Sequence, residues 1–200
     1  MKAVRVISGR AVPLERSDVD TDQIIPASWL KRVERTGFGQ GLFAQWRDQR
    51  DFVLNRPEYA GATILLAGPN FGTGSSREHA VWALSDYGFE AVVSPRFGDI
   101  FRNNATKSGL VPVQVPQEVL DQLMAAVKKD PSLELTIDIE RRVVEAPSAG
   151  IEVAFPLDAF TQHRLLEGLD DIGLTLRYEA GISAYEARRP AWLPVVSASA

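Results

Sequence analysis

A polar stretch whose residue types could hold an anion occupies residues 70–80, NFGTGSSREHA. Gly72 and Gly74 allow the backbone to adopt unusual φ angles and to approach a ligand closely. A buried strand, a glycine-rich turn and a helix start would present backbone N–H groups to that ligand. Arg77 adds a planar fork of donors that matches a carboxylate or a phosphate. The stretch therefore predicts an anion site.

The same stretch also fits a purely structural interpretation. Ser75 and Glu78 match the S-x-x-E capping box, which a helix start uses without any ligand. A Walker P-loop is excluded because its Lys is missing, and Arg77 stands where a dinucleotide fingerprint would need its third Gly. These residues alone leave open an anion site, a capped helix start, or both.

A second polar segment, SDVDTDQIIP at 17–26, carries Asp18, Asp20 and Asp22. Three acids at every second residue resemble part of a calcium loop, but the Gly and the terminal Glu of an EF-hand are absent at the required spacing. The segment is either an acidic turn that caps a helix or binds nothing, or a support in which a carboxylate orients an Arg or a Ser from elsewhere, and the latter role is favoured over calcium binding.

A third segment, WLKRVERTGFG at 29–39, combines cations with apolar side chains. It is either a solvated basic loop or a lid that offers a cation and an apolar wall to a small acid. In the second interpretation Gly37, Gly39 and Gly41 would serve as hinges. The first half of residues 29–46 could be a short helix, but these glycines favour a mobile loop.

Composition narrows the chemistry further. The net charge is −4, which makes nucleic acid an improbable main partner. No apolar run approaches the length of a membrane span, and we expect a cytoplasmic protein. The chain contains no Cys, which excludes disulfides, a thiol nucleophile and a thiolate-held iron–sulfur cluster in this chain. Its two histidines, His79 and His163, are expected to be structural or on the surface, and no metal site is predicted here.

The elements that must position these segments follow from apolar runs and breakers. The order predicts one α/β domain with mixed strands over residues 1–193, followed by a disordered tail at 194–200. Strands are expected at 4–14 with a turn at Gly9, at 62–68, at 90–95, at 110–116 and in a meander over 133–155; helices are expected at 76–88, 97–109, 117–130 and 156–190, the last interrupted at Gly168 and Gly173.

Four segments in this order carry a family resemblance: VDTDQIIP, WLKRVERTGFG, NFGTGSSREHAVWAL and FGDIFRNNATKSGLVPV. With GLDDIGLTL and AYEARRPA near the end, the chain resembles the small-subunit family of 3-isopropylmalate dehydratase, within the aconitase superfamily. The resemblance covers nearly the whole chain. It implies a swivelling β/β/α three-layer domain of the aconitase C-terminal type.

The resemblance also implies an activity that is shared between two chains. A large subunit would carry a 4Fe–4S cluster, and the pair would interconvert 2-isopropylmalate and 3-isopropylmalate, small dicarboxylates of leucine biosynthesis, by dehydration and rehydration. A related hydro-lyase acting on citramalate and citraconate, or on homoaconitate, is the alternative.

Residue roles follow from the resemblance by motif. Ser75 resembles the superfamily's catalytic base, and Ser76 and Arg77 resemble binders of a substrate carboxylate. Further site residues are implied in two groups: Thr21, Asp22, Gly72 and Gly74 in support of the site, and Leu30, Arg32, Val33 and Arg35 in the loop that would discriminate the substrate side chain.

Overall fold

A computed structural model describes residues 1–31, 36–74, 77–190 and 192–193 of the chain. Its strands are β1 Val6–Leu14, β2 Ile64–Ala67, β3 Ala91–Ser94, β4 Val111–Gln114, β5 Glu134–Asp138, β6 Val143–Ala146 and β7 Ile151–Ala154. They form one seven-stranded sheet in the order β4-β3-β2-β1-β5-β6-β7. Strands β1 to β4 pair in parallel, whereas β5 to β7 pair antiparallel.

Strand β1 joins the two halves of this sheet. Its first part, residues 6–10, pairs antiparallel with β5, and its second part, residues 11–14, pairs in parallel with β2. The predicted turn at Gly9 is wrong, because the strand continues through it. A Cβ at Gly9 would lie 2.2 Å from Thr63 Oγ1, so this glycine permits a close approach and does not bend the chain.

The helices are α1 Thr21–Ile24, α2 Ala44–Arg47, α3 Glu78–Tyr87, α4 Asp99–Ser108, α5 Gln117–Lys129, α6 Ala159–Glu167, α7 Asp171–Leu176 and α8 Glu179–Ala187. Helix α3 ends at Gly88 and α4 at Gly109, both in the left-handed conformation that favours glycine. Short 3₁₀ helices span Ala27–Lys31 and Phe38–Gly41.

The core lies on both sides of the parallel strands. Strands β2 and β3 are buried along their whole length, as their continuous apolar runs predict. Helix α5 packs against β1, β2 and β3. It does so through apolar residues at helical spacing, namely Leu120, Leu123, Met124 and Val127.

The C-terminal part departs from the prediction at one glycine. Gly168 ends α6 with a φ of 67°, as expected, but Gly173 lies inside α7. Its N–H donates to the Asp170 carboxylate at 2.7 Å, so Gly173 belongs to a capped first turn. The predicted tail at 194–200 lies outside the described residues. Within the described part of the chain, no helix has the length and apolar character needed to cross a membrane.

Candidate active site

The connections that follow β1, β2 and β3 meet at the carboxyl edge of the parallel strands. Gly72 N–H donates to the Val19 carbonyl at 2.7 Å, and Thr21 N–H donates to the Thr73 carbonyl at 3.0 Å. On the other side, Phe71 N–H donates to the Arg96 carbonyl at 3.1 Å. These bonds extend the parallel pairing beyond the strand ends. They place the acidic segment 17–26 beside the glycine-rich segment 70–74.

Gly72 is held in a conformation and a position that exclude a side chain. Its φ is 74°, and a Cβ there would lie 2.3 Å from Phe101 Cγ. A Cβ at Gly98 would lie 2.4 Å from the Gly72 carbonyl oxygen. The segment therefore lies directly on the start of α4. Sequence reasoning missed Phe101, whose only signal was its place among the apolar residues of that helix.

Asp22 and Arg77 form an ion pair across the two segments. The Arg77 side chain is 22% exposed and the Asp22 side chain is 56% exposed, so the pair lies at the protein surface. Arg77 immediately precedes α3, and Asp22 lies in the single turn of α1. The pairing orients the guanidinium at the edge where the three connections meet.

Helix α1 is fixed by a reciprocal cap. Asp20 Oδ1 accepts from Gln23 N–H at 2.7 Å, while Gln23 Oε1 accepts from Asp20 N–H at 3.0 Å. Thr21, between the cap and Asp22, is only 1% exposed. Asp22 is therefore presented by a short helix that is anchored at its first residue.

The capping box predicted at Ser75 and Glu78 is wrong. Helix α3 begins at Glu78, and its N-cap is Arg77, in an extended conformation and without a side-chain cap. The capping box lies instead at Asp20 and Gln23, a D-x-x-Q pattern that carried the same signal in the sequence. An isolated parallel bridge between Asp20 and Thr73 holds this capped turn beside the glycine-rich segment.

The three acids of segment 17–26 thus have separate partners. Asp18 Oδ1 accepts from Asn70 Nδ2 at 2.7 Å, Asp20 caps α1, and Asp22 pairs with Arg77. Across residues 1–31, 36–74, 77–190 and 192–193, no group of three His, Cys, Asp or Glu side chains is placed to hold a metal ion.

The segment at 29–39 is described only at its two ends. Leu30 is half-buried in the 3₁₀ helix Ala27–Lys31, whereas Arg32, Val33 and Arg35 lie outside the described residues, as do Ser75 and Ser76. The interpretation of Gly39 and Gly41 as hinges is wrong. A Cβ at Gly39 would lie 2.8 Å from the Tyr87 backbone nitrogen, and one at Gly41 would lie 2.5 Å from Trp29 Cδ2. Both glycines allow tight packing.

The two histidines have structural surroundings. The His79 ring lies 5.3 Å from the Phe38 ring and 4.7 Å from the Trp82 ring, centroid to centroid. His163 is exposed, and its Nε2 lies 2.8 Å from Arg177 Nη1. These contacts fit the structural and surface roles expected for them.

The chain, whose polar connections gather at the carboxyl edge of the parallel strands, is similar to a known class of domain. The family model of the aconitase C-terminal domain matches residues 1–118. The model of the C-terminal domain of 3-isopropylmalate dehydratase small subunits matches residues 171–195, and the LeuD_N model matches 121–159. The predicted fold class, an α/β domain of the aconitase C-terminal type, is confirmed.

Similar proteins narrow this class to one family. The 3-isopropylmalate dehydratase small subunit of Frankia alni is 63% identical over 97% of this chain and 98% of its own length. That of Acidothermus cellulolyticus is 62% identical over 96% of both chains. A crystal structure of 3-isopropylmalate dehydratase from Methanocaldococcus jannaschii matches with a TM-score of 0.66 and 25% identity, over 90% of this chain and 98% of that one. The chain belongs to the family of 3-isopropylmalate dehydratase small subunits.

Proposed function

We propose that this chain is the small subunit of a hydro-lyase that interconverts 2-isopropylmalate and 3-isopropylmalate. The observation that carries the proposal is the 63% identity, over 97% of the chain, to a protein named as that small subunit. The ion pair of Arg77 with Asp22, at an edge where three connections meet, supports it. This arrangement suits recognition of a small dicarboxylate.

Arg77, with Ser76, is the proposed binder of a substrate carboxylate. A guanidinium carries five N–H donors in a planar fork, and the contact with Asp22 uses Nη1. Arg77 can therefore hold the Asp22 carboxylate and a substrate carboxylate together. Asp22 fixes the orientation of the fork before the substrate arrives, which lowers the entropy cost of binding.

Ser75 is the proposed catalytic base. Its alkoxide would take the proton from the carbon beside a carboxylate while the C–O bond at the neighbouring carbon breaks. The electron pair of the C–H bond becomes the second bond of the alkene, and the oxygen leaves with the pair of the C–O bond. A serine alkoxide needs stabilisation, and helix α3 begins three residues after Ser75, with Arg77 between them.

The loop at 29–38 is the proposed contact for the substrate side chain. Leu30 and Val33 would give an isopropyl group an apolar wall, and Arg32 and Arg35 would supply cations at its margin. A methyl group would fill the same wall less completely, and one methylene in an apolar pocket changes kcat/KM by about 10- to 200-fold. This loop would therefore discriminate between isopropylmalate and its smaller analogues.

The proposal includes a large subunit that carries a 4Fe–4S cluster. The chain has no Cys, so its own residues do not fit a thiolate-held cluster. The partner's iron would act as a Lewis acid toward the departing hydroxyl. This chain's residues would bind the carboxylate, move the proton and enclose the side chain.

Reconstitution with an iron–sulfur large subunit tests the proposal. We expect the isolated chain to be inactive and the complex to dehydrate 2-isopropylmalate, with lower kcat/KM for citramalate and homocitrate. Ser75→Ala should abolish turnover while the complex still assembles on size-exclusion chromatography. Normal turnover by Ser75→Ala would remove Ser75 as the base, and preference for another substrate would replace the proposed one.

A further inference from the structure

Phe38 joins the end of the substrate loop to helix α3. Its side chain is fully buried, and its ring lies 5.3 Å from the His79 ring and 5.7 Å from the Trp82 ring. His79, Trp82 and Asp86 are spaced by three and four residues, so they lie on one face of α3. The chain around Phe38 therefore packs along this helix from its first turn to its last.

Asp86 completes this packing from the last turn of α3. Its Oδ2 accepts from Phe38 N–H at 3.0 Å. Phe38 begins the 3₁₀ helix Phe38–Gly41, whose N-cap is Gly37, with a φ of 84° and no side chain to accept a hydrogen bond. The Asp86 carboxylate thus accepts, from a residue distant in sequence, one of the N–H groups that have no partner within the first turn of a helix.

Other contacts tie the same region to α3 and to the start of the loop. Gly39 lies against the backbone of Asp86 and Tyr87, where an added Cβ would approach within 2.8 Å. The Arg47 guanidinium lies 4.6 Å from the centre of the Tyr87 ring. Trp29, at the start of the loop, packs on Gly41, just after its end. Both ends of the loop are therefore fixed to one another, and the second end is seated on α3.

Helix α3 also follows directly from Arg77, the proposed carboxylate binder. Asp86 lies nine residues after Arg77, which corresponds to roughly 13 Å of helix. We propose that Asp86 is a positioning residue for substrate selectivity: by capping Phe38–Gly41, it sets the distance between the side-chain loop and Arg77. This inference rests on the proposed function, because it assigns the loop to the substrate side chain.

Asp86 is exposed on the surface of α3, so substitutions there should leave the core intact. Asp86→Ala removes the acceptor, whereas Asp86→Asn keeps an oxygen that can accept from Phe38 N–H. Ser85→Ala is the matched control, since Ser85 is an exposed neighbour on the same helix turn. Thermal unfolding of Asp86→Asn and Ser85→Ala should agree closely with that of the unmodified chain, and Asp86→Ala should show only the small decrease expected for one lost hydrogen bond.

Amide hydrogen exchange on the isolated chain tests the cap without any substrate. We expect Asp86→Ala to speed exchange at Phe38 by about 10-fold, because local opening no longer has to break the hydrogen bond from Phe38 N–H. Asp86→Asn and Ser85→Ala should stay within about 2-fold of the unmodified chain on the same grounds. Unchanged exchange at Phe38 in Asp86→Ala would overturn the cap.

Selectivity of the reconstituted complex tests the positioning role. For Asp86→Ala we expect kcat/KM for 2-isopropylmalate, relative to citramalate, to fall about 5-fold, mainly through KM, because the apolar wall shifts from the side chain. Asp86→Asn should restore the ratio. An equal loss on both substrates, or an Asp86→Asn complex as impaired as Asp86→Ala, would overturn it.

The proposed function and the positioning role fail in different ways. If the unmodified complex does not turn over 2-isopropylmalate, the proposed function is wrong and the selectivity role falls with it. If the complex turns over normally and the Asp86→Ala ratio is unchanged, only the positioning role is wrong.

Discussion

The two halves of the sheet share strand β1 but differ in the connections between their strands. The parallel half sends long connections across its carboxyl edge, and these contain the Asp22–Arg77 pair, Gly72 and the Asp20 cap. The antiparallel half turns back over short links and keeps its charged pairs, such as Arg141 with Glu145, on an exposed face. Parallel connections must cross back over the sheet, so their starts gather at one edge. Strand direction therefore decides where these polar connections gather.

The largest effect should come from Arg77, the proposed carboxylate binder, in the parallel half. We expect Arg77→Ala to lower kcat/KM of the reconstituted complex by about 100- to 1,000-fold, since a charged bidentate donor is lost. Arg77→Lys should recover only part of this loss, because an ammonium lacks the planar fork. Steady-state kinetics on 2-isopropylmalate would measure both, and activity near that of the unmodified complex would contradict the assigned role.

Gly72 should show the next largest effect, through the fold of the same edge. Gly72→Ala places a methyl group where Phe101 lies and strains a backbone at a φ of 74°. Overpacking together with strain should cost about 3 kcal/mol of unfolding free energy, measured by urea denaturation. Gly181→Ala in α8 is the control, because nothing lies within 4 Å of its Cβ position and alanine favours a helix. Equal stability of the two variants would contradict the close packing at Gly72.

The smallest effect should come from a cap on the antiparallel side. Asp158 precedes α6, and its hydrogen bonds from Thr161 hold the pKa of this carboxyl below its usual range. Asp158→Ala should cost about 1 kcal/mol of unfolding free energy at neutral pH and leave kcat unchanged. Because the folded pKa is lowered, the stabilisation is present above the unfolded pKa of about 4 and is lost as pH falls through the folded value.

Urea denaturation of the Asp158 variant and the unmodified chain, at pH 7 and near pH 3, would check both statements. The difference in unfolding free energy between Asp158→Ala and the unmodified chain should be smaller at the lower pH. A large loss of activity in Asp158→Ala would contradict the expectation that the antiparallel half affects stability but not turnover.

The sequence predicts the elements well and the detailed site less well. Apolar runs locate β2, β3 and the meander, and they place segments 17–26 and 70–74 directly after predicted strands. The predicted start of α3 is too early, because S-x-x-E at Ser75 matches a capping box in the sequence, whereas the helix begins at Glu78 with Arg77 as its N-cap.

Contacts from distant parts of the chain explain the other misses. In the sequence alone, Gly9 is typical of a turn and Gly39 of a hinge. In the structure, Gly9 packs against Thr63 and Gly39 packs against the end of α3. The packing of Phe38 against His79 and its hydrogen bond to Asp86 had only a weak sequence signal. That signal was two polar residues among the apolar residues of one helix face. Glycine marks a special position, but only the fold shows whether it permits motion or contact.

The division of β1 between two partners has a consequence for synthesis of the chain. Residues 6–10 pair with β5, whose residues are made more than a hundred positions later, so this stretch of strand stays unpaired on the ribosome. At ordinary elongation rates that interval is on the order of ten seconds. An open strand edge is a template for aggregation, so nascent chains ending near residue 131 should aggregate more than chains that include β5. Sedimentation of stalled nascent chains of both lengths would measure the difference.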